Sequence, residues 1–275
     1  MINHSKAWQG IITFPIGGRT PKPRSSGLTM VMDKGLGLAA VRDLLETGAP
    51  YIDFIKLGFG TSALVDEKFL KEKINLIRSY GVDIYPGGTF LEIACQQNKI
   101  PDYLAYAQDI GFTFLEVSDG TITMTPQVRA ALITGAREAG FGVITEVGKK
   151  DPRDQLPITE IIQQVKFDLA HGAYKVILEG RESGKGIGLY DNNGEVKQDD
   201  LATFTNSIDD IKAIIWEAPL KSQQQELLMK FGPNVNMGNI NPSEVLALEA
   251  LRVGLRGDTF RFTLWEEKHP PNTST

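Results

Sequence analysis

Four glutamates, Glu116, Glu146, Glu179 and Glu217, each close a short apolar run rich in branched residues: Phe112-Thr113-Phe114-Leu115-Glu116, Gly142-Val143-Ile144-Thr145-Glu146, Lys175-Val176-Ile177-Leu178-Glu179 and Ala213-Ile214-Ile215-Trp216-Glu217. If these runs are neighbouring strands, about 4.8 Å apart, their ends bring carboxylates within reach of one ion. Such a cluster is costly unless a divalent cation or interleaved Lys and Arg relieve its repulsion. Hard carboxylate oxygens suit Mg²⁺ or Mn²⁺. Both remedies are at hand, because Lys149, Lys150 and Arg181 follow these runs in the loops and Lys56 ends another run.

Those residues converge only if the elements behind them form one face. Met30–Asp33, Tyr51–Lys56, Val82–Tyr85 before Gly87-Gly88-Thr89, and Val235-Asn236 bring the runs to eight, each handing over to an amphipathic helical pattern. Strands apolar on both faces that alternate with helices belong in a parallel sheet, and eight such units close into a (β/α)8 TIM barrel whose strand C-termini form the functional face. The predicted organisation is a single α/β domain over 1–275, with an N-terminal arm over 1–27 and a frayed tail over 266–275. A salt-bridged ring that only stiffens the rim competes with a metal site, but a stability network belongs at the opposite end of a barrel.

Helix punctuation agrees. Val41, Leu44 and Leu45 fall at helical spacing before Gly48, and Phe69, Leu70, Ile74 and Ile77 share one face of a helix over Asp66 to Tyr80. Thr125-Pro126 and Asn241-Pro242 each place a capping residue before a first-turn proline. The glycine-rich stretch Gly180 to Glu195 breaks the rhythm; its glycine and lysine spacing does not fit a phosphate-cradling P-loop, and a mobile lid is expected there. Cys95 reads as a small hydrophobe on a helix over Leu91–Gln97 rather than as a catalytic thiol.

A formal net charge of -5 argues against nucleic acid as the main partner, so any anionic ligand must be held by local cations. Lys22, Arg24, Lys56, Lys149, Lys150 and Arg181 could reach one face, and Gly238-Asn239-Ile240 offers backbone N–H groups near the last helix, where barrels often bind phosphate. On the arm alone, Lys22 and Arg24 read more readily as solvated charges than as ligand cations. With one cysteine, no secretory pattern and no apolar run of about 18 residues, a soluble cytoplasmic protein without a membrane partner is expected. A small molecule carrying phosphate and carboxylate fits this environment, with a divalent cation and a poised lysine stabilising an enediolate-like state.

At these residues the chain resembles the phosphosulfolactate synthases of coenzyme M and sulfolactate biosynthesis, together with their heat-stress-associated plant relatives. The likeness runs from Arg19 to Asp258 through Lys22-Pro23-Arg24, Asp33-Lys34-Gly35-Leu36, Lys56-Leu57-Gly58-Phe59-Gly60-Thr61-Ser62, Tyr85-Pro86-Gly87-Gly88-Thr89, Glu116-Val117-Ser118-Asp119-Gly120, Glu146-Val147-Gly148-Lys149-Lys150 and Glu179-Gly180-Arg181-Glu182-Ser183-Gly184. The resemblance implies a barrel lyase that adds sulfite to phosphoenolpyruvate with Mg²⁺, giving (2R)-phospho-3-sulfolactate, and a homo-oligomer. In that chemistry Lys149 is the expected proton donor, with Lys150 the competing choice. Lys22, Arg24, Lys56, Arg181 and Asn239 are assigned to substrate anions, and Glu116, Glu146 and Glu179 to the metal. Glu217, Asp33 and Ser118 are second choices. An aldolase using a Schiff base on Lys56 or Lys149, and a non-enzymatic stress protein of the same fold, are the alternatives.

Overall fold

The computed structural model describes residues 6–261; the tail expected over 266–275 and the first five residues of the arm lie outside them. Eight parallel strands appear in order: β1 (Thr29–Asp33), β2 (Phe54–Leu57), β3 (Asp83–Pro86), β4 (Phe114–Ser118), β5 (Gly142–Val147), β6 (Lys175–Leu178), β7 (Ile214–Glu217) and β8 (Met237–Ile240). They alternate with α1 (Leu38–Gly48), α2 (Glu67–Ser79), α3 (Gly88–Gln96) and α4 (Ile100–Ile110), α5 (Pro126–Glu138), α6 (Ile158–Ala170), α7 (Gln198–Ser207), α8 (Lys221–Phe231) and α9 (Val245–Arg252).

The ladder runs β3-β2-β1-β8-β7-β6-β5-β4. Thr113, just before β4, completes the ring: its N–H donates to Ile84 O at 3.2 Å and its Oγ1 accepts from Ile84 N at 3.0 Å. The fold is therefore the (β/α)8 barrel that the alternation of strands and helices implies. Between β3 and β4 the crossover carries two helices where one was expected. Cys95 sits half-buried in α3 against the core.

Strand alternation decides what faces where. One set of side chains, including Met30, Phe54, Tyr85, Ile144, Ile177 and Ile215, fills the barrel interior. The intervening set, including Val31, Ile55, Ile84, Val143, Val176 and Ile214, packs outward against helix residues such as Leu45, Ile74, Ile133 and Val165. Each such fully buried side chain contributes about 1.5–3 kcal/mol. Two residues beyond Phe54, Phe114, Ile144, Ile177 and Ile215 come Lys56, Glu116, Glu146, Glu179 and Glu217. They share the interior face one layer higher, at the C-terminal mouth.

Two expectations need correction. The eighth strand lies at Met237–Ile240 rather than Val235-Asn236, because Asn236 spends its side chain as a brace, accepting from Leu28 N at 2.9 Å and donating to Lys212 O and Ile214 O at 2.8 Å. The stretch after β6 is not a free lid. Gln223 Nε2 donates to Gly184 O (2.7 Å) and Gly194 O (3.0 Å), Gln155 Oε1 accepts from Gly188 N (2.9 Å), and Tyr190 Oη donates to Glu217 O (2.7 Å). Its first turn, Arg181 to Ser183, stands exposed, and Arg181 and Glu182 line the mouth. No helix among the described residues is long and apolar enough to cross a membrane.

Candidate active site

Lys56 is the centre of the mouth. Its Nζ lies 2.9 Å from Glu116 Oε2, 2.8 Å from Glu146 Oε2 and 3.6 Å from Glu217 Oε1, with every partner buried. Above it, Lys150 Nζ contacts Glu146 Oε1 and Glu179 Oε2, both at 2.5 Å. Backbone donors hold the remaining carboxylate oxygens: Gly88 N to Glu116 Oε1 (2.6 Å), Gly180 N to Glu217 Oε2 (2.9 Å) and Arg181 N to Glu179 Oε1 (2.8 Å). Gly88 is obligatory here, since a Cβ would meet Ser118 Oγ at 2.3 Å and Glu116 Oε1 at 2.8 Å. A cavity of about 210 Å³ opens over the cluster, lined also by Phe59, Arg181 and Asn239.

Four carboxylates against two ammonium groups leave an excess of acid in a desolvated pocket, and the protonation equilibria register it. Burial pushes Glu116 up to about 7, Glu146 adding to the rise while Lys56 opposes it. Burial, helped by Glu146 and Glu217, raises Glu179 well above the usual carboxylate range, and burial raises Glu217 as well. Glu146 goes the other way: burial opposes its ionisation, yet Lys150 and Lys56 outweigh burial and hold it well below that range. Burial also favours neutral amines at Lys56 and Lys150, but the surrounding glutamates outweigh it and keep both protonated. Raised carboxyls are the form in which a metal-free acid cluster stores protons that a cation would displace. Ligand oxygens of Glu146, Glu179 and Glu217 lie within 4.8 Å of one another. Glu217 thus joins the gathered trio in place of Glu116.

Of the other expected site residues, Lys150 and Arg181 reach the cavity, the Arg181 guanidinium donating to Lys150 O at 2.5 Å. Asn239 also lines it, with a left-handed backbone (φ 56°) and a buried Oδ1 that has no partner. Lys149 does not line it. Its Nζ is bound by Asp119 O (2.6 Å), Asp119 Oδ2 (3.1 Å) and Ile122 O (3.0 Å), which makes it a clamp on the loop after β4. Asp33 is committed to the loop after β1, accepting from Gly35 N and Leu36 N and pairing with Lys73 at 2.6 Å; Ser118 donates to Glu92.

Lys22 and Arg24 lie at the opposite end of the barrel from the mouth, against the expectation that they bind substrate. Lys22 Nζ donates to the carbonyls of Ile52 (2.6 Å), Gly81 (2.8 Å) and Ala49 (3.3 Å), all preceding strands. Arg24 pairs with Asp53 at 2.8 Å, and Asp53 in turn accepts from Thr29 N. The arm runs beneath the strand N-termini, where Arg19 pairs with Glu249 at 3.0 Å, so its cations cannot reach the C-terminal mouth.

Three supporting residues escaped the sequence reading. Buried Glu92 of α3 accepts from Ser118 Oγ, Gly120 N, Thr121 N and Ile122 N, fixing the loop on which Lys149 and Lys150 lean. Buried Arg129 links Asp168 (2.6 Å), Asp119 (2.9 Å) and Glu146 O (2.9 Å). Lys34 stands at the rim, 2.5 Å from Glu182 and over the Phe59 ring at 5.8 Å. Helical spacing could have marked Glu92, a lone acid on an otherwise apolar face of α3; nothing comparable marks the other two.

The sequence model of the (2R)-phospho-3-sulfolactate synthase (ComA) family matches residues 17–258. A phosphosulfolactate synthase of Methanothermobacter thermautotrophicus is 47% identical over 243 residues, 88% of this chain and 94% of that one. One from Methanocaldococcus jannaschii is 48% identical over 236 residues, 85% and 94% of the two chains. The Arabidopsis thaliana protein Heat-Stress-Associated 32 is 20% identical over 262 residues, 85% and 88%. Among solved structures, 3-keto-L-gulonate-6-phosphate decarboxylase from Vibrio cholerae superposes with a TM-score of 0.54 at 14% identity, over 86% of this chain and 99% of that one, a likeness of fold alone.

Proposed function

The chain belongs to the (2R)-phospho-3-sulfolactate synthase family, and from that premise we propose that it adds sulfite to phosphoenolpyruvate with Mg²⁺ as cofactor. The observation that carries this reading is Lys150, an ammonium held between two buried carboxylates at the edge of the cavity. Glu146, Glu179 and Glu217 would hold the cation, which when bound supplies Lewis-acid stabilisation for negative charge growing on the substrate carboxylate.

In the reaction, the sulfite sulfur lone pair forms a bond to the methylene carbon and the double-bond pair moves to the carbon bearing phosphate. That carbon then takes a proton from Lys150, and the phosphate ester stays intact. Lys150 is the donor rather than Lys149 because only Lys150 lines the cavity. Its proton is held tightly by Glu146 and Glu179, so withdrawal of charge from those carboxylates brings its acidity toward the range useful for general acid catalysis. Arg181, a planar fork at the mouth, suits a bidentate contact with sulfite. Lys56, buried under three carboxylates, keeps its proton and organises the floor. That protonation also counts against a Schiff-base aldolase through Lys56, and the occupied ammonium of Lys149 counts against one there.

The test is to incubate the protein with phosphoenolpyruvate, sulfite and Mg²⁺, following loss of enol-ester absorbance and the mass of the product, with EDTA and Lys150→Ala controls. Phosphosulfolactate that needs the metal and Lys150 supports the reading. A folded, metal-loaded protein that makes none removes it and favours a related anion substrate or a stress-protein role.

A further inference from the structure

Beside the acid cluster lies a second and larger cavity, of about 490 Å³, formed by the loops after β1, β7 and β8 and the first turn of the loop after β6. It meets the first at Met32, Glu182 and Asn239, which line both. Resting on the proposed reaction, we infer that this second cavity is the phosphoryl subsite, with Lys34, Asn239 and Asn241 as its ligands. A phosphoryl dianion cannot lie among four glutamates, whose ionised carboxylates offer it acceptors only. The acid lining the second cavity is Glu182, half exposed and able to swing away from Lys34.

The cavity is furnished for an anion. Lys34 brings three donors, and its present ion-pair partner is that exposed carboxylate. Asn241 uses Oδ1 to cap Ser243 N at 3.0 Å, which leaves its Nδ2 donors for a ligand. Asn239 is the independent sign: its residue is 6% exposed, its Oδ1 is buried without a partner, and its backbone is held at φ 56°. A buried polar atom unpaired within the protein, on a backbone held in a sparsely populated region, is a recurrent mark of a ligand contact. Its amide can serve a phosphoryl oxygen through Nδ2 while Oδ1 accepts from the Lys34 ammonium that binds the same group. The substrate carboxylate would then extend toward the cation that Glu146, Glu179 and Glu217 would hold.

Inorganic phosphate is the probe, titrated into the full chain by calorimetry and used as an inhibitor against varied phosphoenolpyruvate. Lys34→Gln is expected to weaken phosphate about tenfold or more and to raise KM for phosphoenolpyruvate in parallel, with KM for sulfite within about twofold. Asn241→Asp keeps the cap on Ser243 but turns a donor into a charge, and is expected to weaken phosphate likewise. Glu182→Gln frees Lys34 and is expected to tighten phosphate, a gain that shrinks in the Lys34→Gln background and that loss of structure would not produce. Phosphate affinity unchanged in both Lys34→Gln and Asn241→Asp overturns the subsite, as does a rise in KM confined to sulfite. If wild type binds phosphate in this Lys34-dependent way yet makes no phosphosulfolactate, the subsite stands and the proposed reaction falls; turnover with variants that leave phosphate unmoved gives the reverse.

Discussion

The two ends of this barrel both bury charge, and they handle it in opposite ways. Beneath the strands the cations of the arm each have a counterpart, Arg24 with Asp53, Arg19 with Glu249 and Lys22 with three backbone carbonyls, and buried Arg252 rests on the carbonyls of Pro233 and Val235. At the mouth four glutamates crowd two lysines, and three of those glutamates are driven toward protonation. A fold that needed only stability would match the mouth as it matches the base, since an unmatched buried charge costs several kcal/mol. The unmatched end is therefore the one shaped for something that arrives from outside.

The contrast breaks first at Lys150. Lys150→Ala is expected to lower kcat per folded molecule by about 10²- to 10⁴-fold, the span usual for loss of a general acid, and also to lower the urea midpoint, since Glu146 and Glu179 lose their shared partner. Full activity in the variant would show that the mouth charges serve rigidity alone. At the base stability alone should fall. Arg24→Met strands Asp53 under the barrel and should cost about 3–5 kcal/mol in denaturant unfolding, with kcat per folded molecule unchanged. A catalytic defect there without loss of stability would mean that the base communicates with the site.

Titration sharpens the difference further. Glu116 is raised from 4.5 to about 7 in the folded metal-free protein, so the folded state binds its proton more tightly than the unfolded state. The stability this contributes is present in full below about pH 4.5 and is lost as pH rises through about 7. Glu146, held below its usual range, runs in the reverse sense, which makes a difference measurement necessary. In EDTA, wild type should lose on the order of 2 kcal/mol relative to Glu116→Gln between pH 5 and pH 7.5. Parallel pH profiles for the two proteins would contradict the assignment.

How far the mouth could be read in advance depends on whether a residue sits inside a repeating element. Lys56 and the four glutamates obey strand alternation, two steps beyond an apolar interior residue, so their convergence follows from pattern alone. Lys22 and Arg24 lie in an arm without a period, and which end of the barrel it crosses is set by distant partners, Asn234 and Glu249. The sequence names Asn239 but places the strand carrying it too early, because Asn236 behaves as a brace rather than a strand end and β8 begins after it. The second helix before β4 escaped because Gln97 to Lys99 offers only a short break in an otherwise continuous helical stretch.

The finest contrast lies between two adjacent lysines. Gly148, at φ 129°, turns the chain after β5 against Glu179, where a Cβ would meet the Glu179 Cβ at 2.7 Å. A turn of that kind resets which of the next residues faces inward, and no sequence period reports it. Lys149 consequently reaches out to Asp119 and Ile122 while Lys150 reaches in to Glu146 and Glu179. Lys149→Met is expected to cost about 1 kcal/mol in unfolding, as for a half-screened pair with carbonyl contacts, and to lower kcat only a few-fold by loosening the loop that backs Lys150. A loss as deep as that of Lys150→Ala would reverse the two roles, and equal losses with equal destabilisation would reduce both lysines to scaffolding.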